Sequence, residues 1–246
     1  MSAVVAEATE PLVQESTLSA EQVPPETAPG NVDEEYMDAD KPRLRGVSHA
    51  AMTLLSLAGG LALIFYSRGA AQIAAVSVYL ASGLLLFGVS AVYHLGMWNQ
   101  RRDRVLQQMD HSNIFIFIAG TYTPLAIGLL GGANRVVLVS LAWGIAALGV
   151  ILGAFALKTP RWVQAGLYVG MGWIAIGWMP SFWINSGPTI PILLLVGGLV
   201  YTLGAVVYAK KWPDPAPAFF GYHEIFHACT VVAAVLHWVA IFLAIR

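Results

Sequence analysis

The sequence is short of two things that water-soluble proteins usually have. It holds a single cysteine, Cys229, in 246 residues, so an intrachain disulfide is excluded. Charged residues make up 11% of the chain against 57% hydrophobic ones, which excludes an ordinary solvated surface. The scarcity is also uneven. Residues 1–45 hold ten of the fourteen acids: Glu7, Glu10, Glu15, Glu21, Glu26, Asp33, Glu34, Glu35, Asp38 and Asp40. They hold only three bases, Lys41, Arg43 and Arg45. This acidic tail carries Pro24, Pro25 and Pro29 and no sustained apolar period, so it is expected to be disordered and cytoplasmic. It lacks the basic start and apolar core of a signal peptide, which leaves the first apolar run to direct insertion.

What is present is a series of apolar runs, each near the roughly 20 residues that a bilayer core requires of a helix. Seven can be counted, at about 47–67, 71–96, 110–130, 135–157, 162–183, 188–209 and 220–245. Strand-type alternation is missing, and backbone groups in lipid must be satisfied within the segment. The expected fold is therefore an all-α membrane protein, a seven-transmembrane helix bundle over residues 46–246. With the tail inside, ten of the thirteen bases fall on the inner side and only Arg68, Arg135 and Arg246 outside. That places the N-terminus in the cytoplasm and the C-terminus outside, in a multi-pass protein of the cell membrane. No half-to-half repeat is visible, which weakens a transporter reading. Trp98, Trp162 and Trp212 suit the membrane interfaces, and Gly59, Gly60, Gly197 and Gly198 suit close helix packing. Pro124 is expected to kink the third span. Membrane lipids are the expected partners, and no nucleic acid is expected.

Beyond residue 45 only four acids remain, Asp103, Asp110, Asp214 and Glu224, of which Asp110 and Glu224 fall at membrane depth or its edge. All six histidines (His49, His94, His111, His223, His227 and His237) lie in or beside spans, where ionisable groups are costly and mark function. The orientation read from Lys and Arg brings His94 at the end of span 2, Asp110 and His111 at the start of span 3, and His223 and His227 at the start of span 7 into one layer. Counted along a helix from Arg101, His94 would sit roughly 10 Å deep. His223 and His227 are four residues apart and share a helix face, as do Ser90 and His94. Three imidazoles, from His94, His223 and His227, match a catalytic zinc site with an open position. Asp110 would then hold or deprotonate water, and Ser90 would join the network. The alternative is that these groups are hydrogen-bonding glue between helices. His49 and His111 suit supporting or interface roles, and His237 suits packing. Cys229 points away from His227 and is not expected to be a ligand.

His223 to His227 also spell H-E-x-x-H, the pattern of zinc proteases in which the glutamate, here Glu224, is the general base. A wider resemblance points elsewhere. The segments SAVYH (Ser90–His94), MDHSNIFIFIAGTYTP (Met109–Pro124) and HEIFHACTVVAAVLHW (His223–Trp238) resemble the three motif blocks of the hemolysin III family, and GVSHA (Gly46–Ala50) resembles its entry to span 1. That family is similar to the progestin and adipoQ receptors and, more distantly, to the alkaline ceramidases. The resemblance covers residues 46–246 and implies seven spans, a zinc ion on His94, His223 and His227, and a polar site completed by Asp110 and Ser90. It also implies that Glu224 is incidental, either solvated at the cytoplasmic edge or tuning the site.

Relatives with defined chemistry imply hydrolysis of a lipid amide such as a ceramide, with zinc polarising the carbonyl and Asp110 accepting a proton. The rival readings are a non-enzymatic sensor or homeostasis factor with structural zinc, an intramembrane metalloprotease using HEIFH, and a haemolytic pore former. No segment reads as a soluble-to-membrane switch, which ranks the pore last.

Overall fold

The computed structural model describes residues 42–155 and 160–246. Most of the acidic tail, residues 1–41, lies outside them, as does the expectation of disorder there. Among the described residues seven helical segments are long and apolar enough to cross a membrane. Span 1 is Val47–Tyr66, span 2 Ala70–Leu95, span 3 Gln100–Leu129 and span 4 Gly132–Phe155. Span 5 occupies Arg161–Ser186, span 6 Thr189–Lys210 and span 7 Tyr222–Ile245. No β-strand occurs among the described residues, and the only bridge is Ala216 with Phe220. The chain is thus an all-α bundle, as the apolar runs require.

Two spans depart from the expected bounds. Span 3 begins ten residues before the apolar run, because Asn99 caps it by accepting from the Arg102 N–H at 3.0 Å. Its first turns carry Arg101, Arg102 and Arg104 as a polar extension. His94 and Arg101 therefore lie on different helices, separated by the turn at Gly96–Asn99, and no depth can be counted between them along one axis. Span 5 is not one α-helix. It runs as α-helix over Arg161–Gly172, tightens to a 3-10 helix over Ile174–Trp178, and resumes as α-helix over Met179–Ser186, with Pro180 in the first turn of the last piece. Two peptide carbonyls at the break, of Met171 and Gly172, accept the Tyr122 hydroxyl from span 3. Pro124 lies inside span 3, and the helix continues through it to Leu129.

Span 3 is the most buried of the seven and forms the axis of the bundle, packing on spans 2, 4, 5 and 7. Span 7 packs on spans 1, 3 and 6. The approaches are close where small residues allow. A Cβ on Gly59, Gly60 or Gly197 would strike Trp238, Leu80 or His237, whereas Gly198 has ordinary room. Gly204 does the same work against Cys229. Polar ties cross the interfaces: Asn113 donates to the Leu85 carbonyl at 2.9 Å, Trp143 to Thr123 at 3.1 Å, and Trp173 to Thr202 at 3.0 Å. Trp162 and Trp212 are exposed and Trp98 half-buried near helix ends, as interfacial residues should be.

Candidate functional site

The site forms at the end of the bundle where spans 1, 3 and 7 begin and span 2 ends. His49 is in the first turn of span 1 and His94 in the last turn of span 2. Asp110 lies along span 3, and His223 and His227 occupy the first two turns of span 7. One ring nitrogen each of His94, His223 and His227 lies within 4.8 Å of the other two. Nitrogens bound to one tetrahedral zinc ion are about 3.4 Å apart, so the three would draw closer around an ion. The Nε2 of His223 and the Nδ1 of His227 are buried with no hydrogen-bond partner. Buried polar atoms are rarely left so, since each forgoes roughly 1–3 kcal/mol. The donor set therefore fits a borderline divalent ion of the kind that imidazole suits, zinc among them.

The groups around the three imidazoles reinforce this. The Asp110 carboxylate approaches His94 Nε2 at 3.7 Å, too long for a direct hydrogen bond. Among the described residues no lysine or arginine pairs with it. A cation among the imidazoles would balance this buried carboxylate. Ser90 sits between Asp110, whose carboxylate it can hydrogen-bond, and His49, whose Nδ1 lies 2.8 Å from the Ser90 hydroxyl. The His49 ring stacks on His227 at 3.7 Å between centroids and 13° between planes, which fixes the plane of that ring. His49 is thus a support for Ser90 and His227, held among the site residues rather than at an outer interface.

The remaining titratable residues separate clearly. His111 borders the site without joining the triad and also lines a polar cleft with Gln107, Gln108, Arg161 and Gln164. His237 lies farther along span 7, its Nε2 3.3 Å from the Leu194 carbonyl, in a packing role. Cys229 faces Gly204 of span 6 and is no part of the cluster. Of the two sequence-based expectations for Glu224, a solvated edge residue or one that tunes the site, the structure overturns the first. Glu224 is 3% exposed, with Oε1 accepting from Arg45 Nε at 2.8 Å and Oε2 accepting from the Gly221 N–H at 2.8 Å. Both oxygens thus accept a hydrogen bond, one from a guanidinium and one from the backbone, which ties Glu224 to the start of span 7. Pro42–Arg45, counted with the tail by composition, pack onto the bundle here: Arg43 and Leu44 donate to the carbonyls of Ala218 and Phe219 at 3.1 and 3.2 Å. Arg45 is the residue that sequence reasoning missed. Its only signal was an acid at the third position of a helix whose cap, Gly221, has no side chain.

A small pocket lies beside the histidines, and Leu86, Ile114, Tyr168 and Phe226 wall both it and a larger, almost wholly apolar cavity that reaches Tyr122 and Tyr201. The arrangement joins a metal-type donor set to a space suited to hydrocarbon.

These observations agree with relatedness in sequence. The family model described as Haemolysin-III related matches residues 37–238. The chain belongs to this family. It is 29% identical over 186 residues to a hemolysin-3 homolog of Bacillus subtilis (strain 168), covering 74% of this chain and 84% of that protein. It is also 29% identical over 183 residues to a heptahelical transmembrane protein of Oryza sativa subsp. japonica, covering 67% of this chain and 79% of the relative. Similarity extends to a progestin and adipoQ receptor-like protein of Caenorhabditis elegans, 26% identical over 183 residues, which are 67% of this chain and 42% of that protein. This haemolysin-III related chain is thus a multi-pass membrane protein, related to the progestin and adipoQ receptors.

Proposed function

We propose that this chain is a cell-membrane protein that binds one zinc ion through His94, His223 and His227 and hydrolyses a lipid amide there, with Asp110 as the general acid–base group and Ser90 orienting it. The observation that carries the reading is the nearness of two features: three clustered imidazoles beside a carboxylate, those of His94 and His227 buried and that of His223 half-buried, and an apolar cavity that shares walls with the pocket beside them. A zinc ion held by those three imidazoles would polarise a carbonyl and make water nucleophilic near neutral pH. Asp110 takes a proton from the attacking water and returns it to the nitrogen as the C–N bond breaks, so that an acid and an amine leave. Ser90 orients that carboxylate and is itself held by His49. The apolar cavity takes the acyl chain and keeps bulk water out, and the polar cleft by His111 and Gln164 receives the head of an amphiphile. The excess of bases on the site's side supports a reaction at the cytoplasmic face.

The test combines metal analysis with turnover of a ceramide in detergent. His94→Ala and His223→Ala are expected to lower the metal content sharply, leaving only weak residual binding. Asp110→Asn is expected to keep it and to lower turnover by about 100-fold or more, the usual scale for a general base. Normal turnover by Asp110→Asn would sink the hydrolase reading. A structural role for the zinc is a second reading, favoured by one observation: spans 2 and 7 share few direct contacts, so the ion would tie them together. Under it, removing the metal lowers thermal stability and no ceramide is cleaved by the intact protein.

A further inference from the structure

His223 occupies a precarious place for a metal ligand. It is the second residue of span 7, in the turn where helices fray and backbone N–H groups lack internal partners. The N-cap, Gly221, has no side chain with which to hold that turn. Two side chains replace it. Asp214 Oδ1 accepts from the Tyr222 N–H at 3.0 Å, and Glu224 Oε2 accepts from the Gly221 N–H at 2.8 Å. Glu224 is buried, so its charge requires a partner, and Arg45 supplies it at 2.8 Å from a segment 179 residues away in sequence. That segment is anchored in turn. Arg43 and Leu44 donate to Ala218 and Phe219, the Arg43 guanidinium lies over the Phe219 ring, and Gly46 rests against His94.

We infer that Arg45 is a positioning residue for the metal site: through Glu224 it locks the first turn of span 7, and so sets His223 against His94 and His227. The inference rests on the zinc reading of those three histidines. The Arg45–Glu224 pair acts through the backbone of the first turn of span 7, which carries His223. The Arg45 charge also reaches His223 and His227, but a nearby cation opposes metal binding, so its loss alone would strengthen binding and a weakened affinity reports the lost positioning.

Zinc affinity of the purified full chain, measured by competition with a chromophoric chelator, tests this without any assay of activity. Arg45→Gln and Glu224→Gln are each expected to weaken binding about tenfold or more, and the double variant no more than either alone. Arg45→Lys, which keeps the charge, is expected to recover part of the loss. In the His223→Ala background, Arg45→Gln is expected to change the residual affinity less than twofold, because the ligand it positions is gone. Circular dichroism at matched temperature identifies a variant that has unfolded, and Arg45→Lys then carries the comparison. Unchanged affinity in folded Arg45→Gln overturns the inference and leaves the zinc reading standing. An equal loss with and without His223 also overturns it, because Arg45 would then act on the whole fold. Wild-type protein that binds no zinc overturns the zinc reading itself, and the inference with it.

Discussion

At the scale of residues, the site depends on positions that tolerate no ordinary side chain. Gly46 has φ of +82°, and a Cβ there would stand 2.8 Å from the Cβ of His94. Gly46→Ala combines left-handed strain with a clash against a proposed ligand, and is expected to cost about 1–3 kcal/mol. The expected outcome is a lower thermal midpoint together with reduced metal content, read by calorimetry and metal analysis on one preparation. His94, Asp110, His223 and His227 were legible in the sequence because ionisable groups are so rare in this chain that those at one level stand out. The four-residue spacing of His223 and His227 made the shared face explicit. Glu224 was not legible in the same way. Its neighbours in sequence offer no cation, and its partner reaches it only after the whole bundle has closed.

At the scale of elements, hydropathy located every span, and its errors have a common cause. An apolar window ends where charges begin, but a helix continues for as long as its backbone is bonded and its end capped. Span 3 shows this, extending to Gln100 through Arg101, Arg102 and Arg104. Asn99→Ala is expected to fray that extension at a cost of about 0.5–2 kcal/mol. Faster amide hydrogen exchange over residues 100–106, with the rest of span 3 unchanged, is the measurement. Span 5 shows the opposite case. Its composition is continuous enough to read as one helix, yet the backbone changes winding at Trp173, where Tyr122 from span 3 bonds the carbonyls of Met171 and Gly172. Tyr122→Phe leaves those carbonyls without that donor in an apolar setting, and is expected to destabilise the bundle by roughly 1–3 kcal/mol. The loss should appear as a lower midpoint in thermal unfolding.

At the scale of the whole molecule, the bases predict an N-terminus inside and a C-terminus outside. With Cys229 replaced by serine, a cysteine at position 246 is expected to react with a membrane-impermeant maleimide in intact cells, and one at position 41 only after lysis. The reverse pattern would move the proposed chemistry to the other face. By itself the sequence determined the class of fold, the number of spans and the level at which the titratable groups gather. These follow from transfer energies that each residue carries wherever it sits, so composition and spacing reveal them. Tertiary structure alone decided which of those groups meet. It set His49 flat on His227, put Ser90 between His49 and Asp110, and brought Arg45 to Glu224. Such contacts depend on the rotation and depth of each helix against its neighbours. Those are fixed by glycine-sized approaches and interhelical hydrogen bonds among residues far apart in the chain, for which a linear pattern holds no signal.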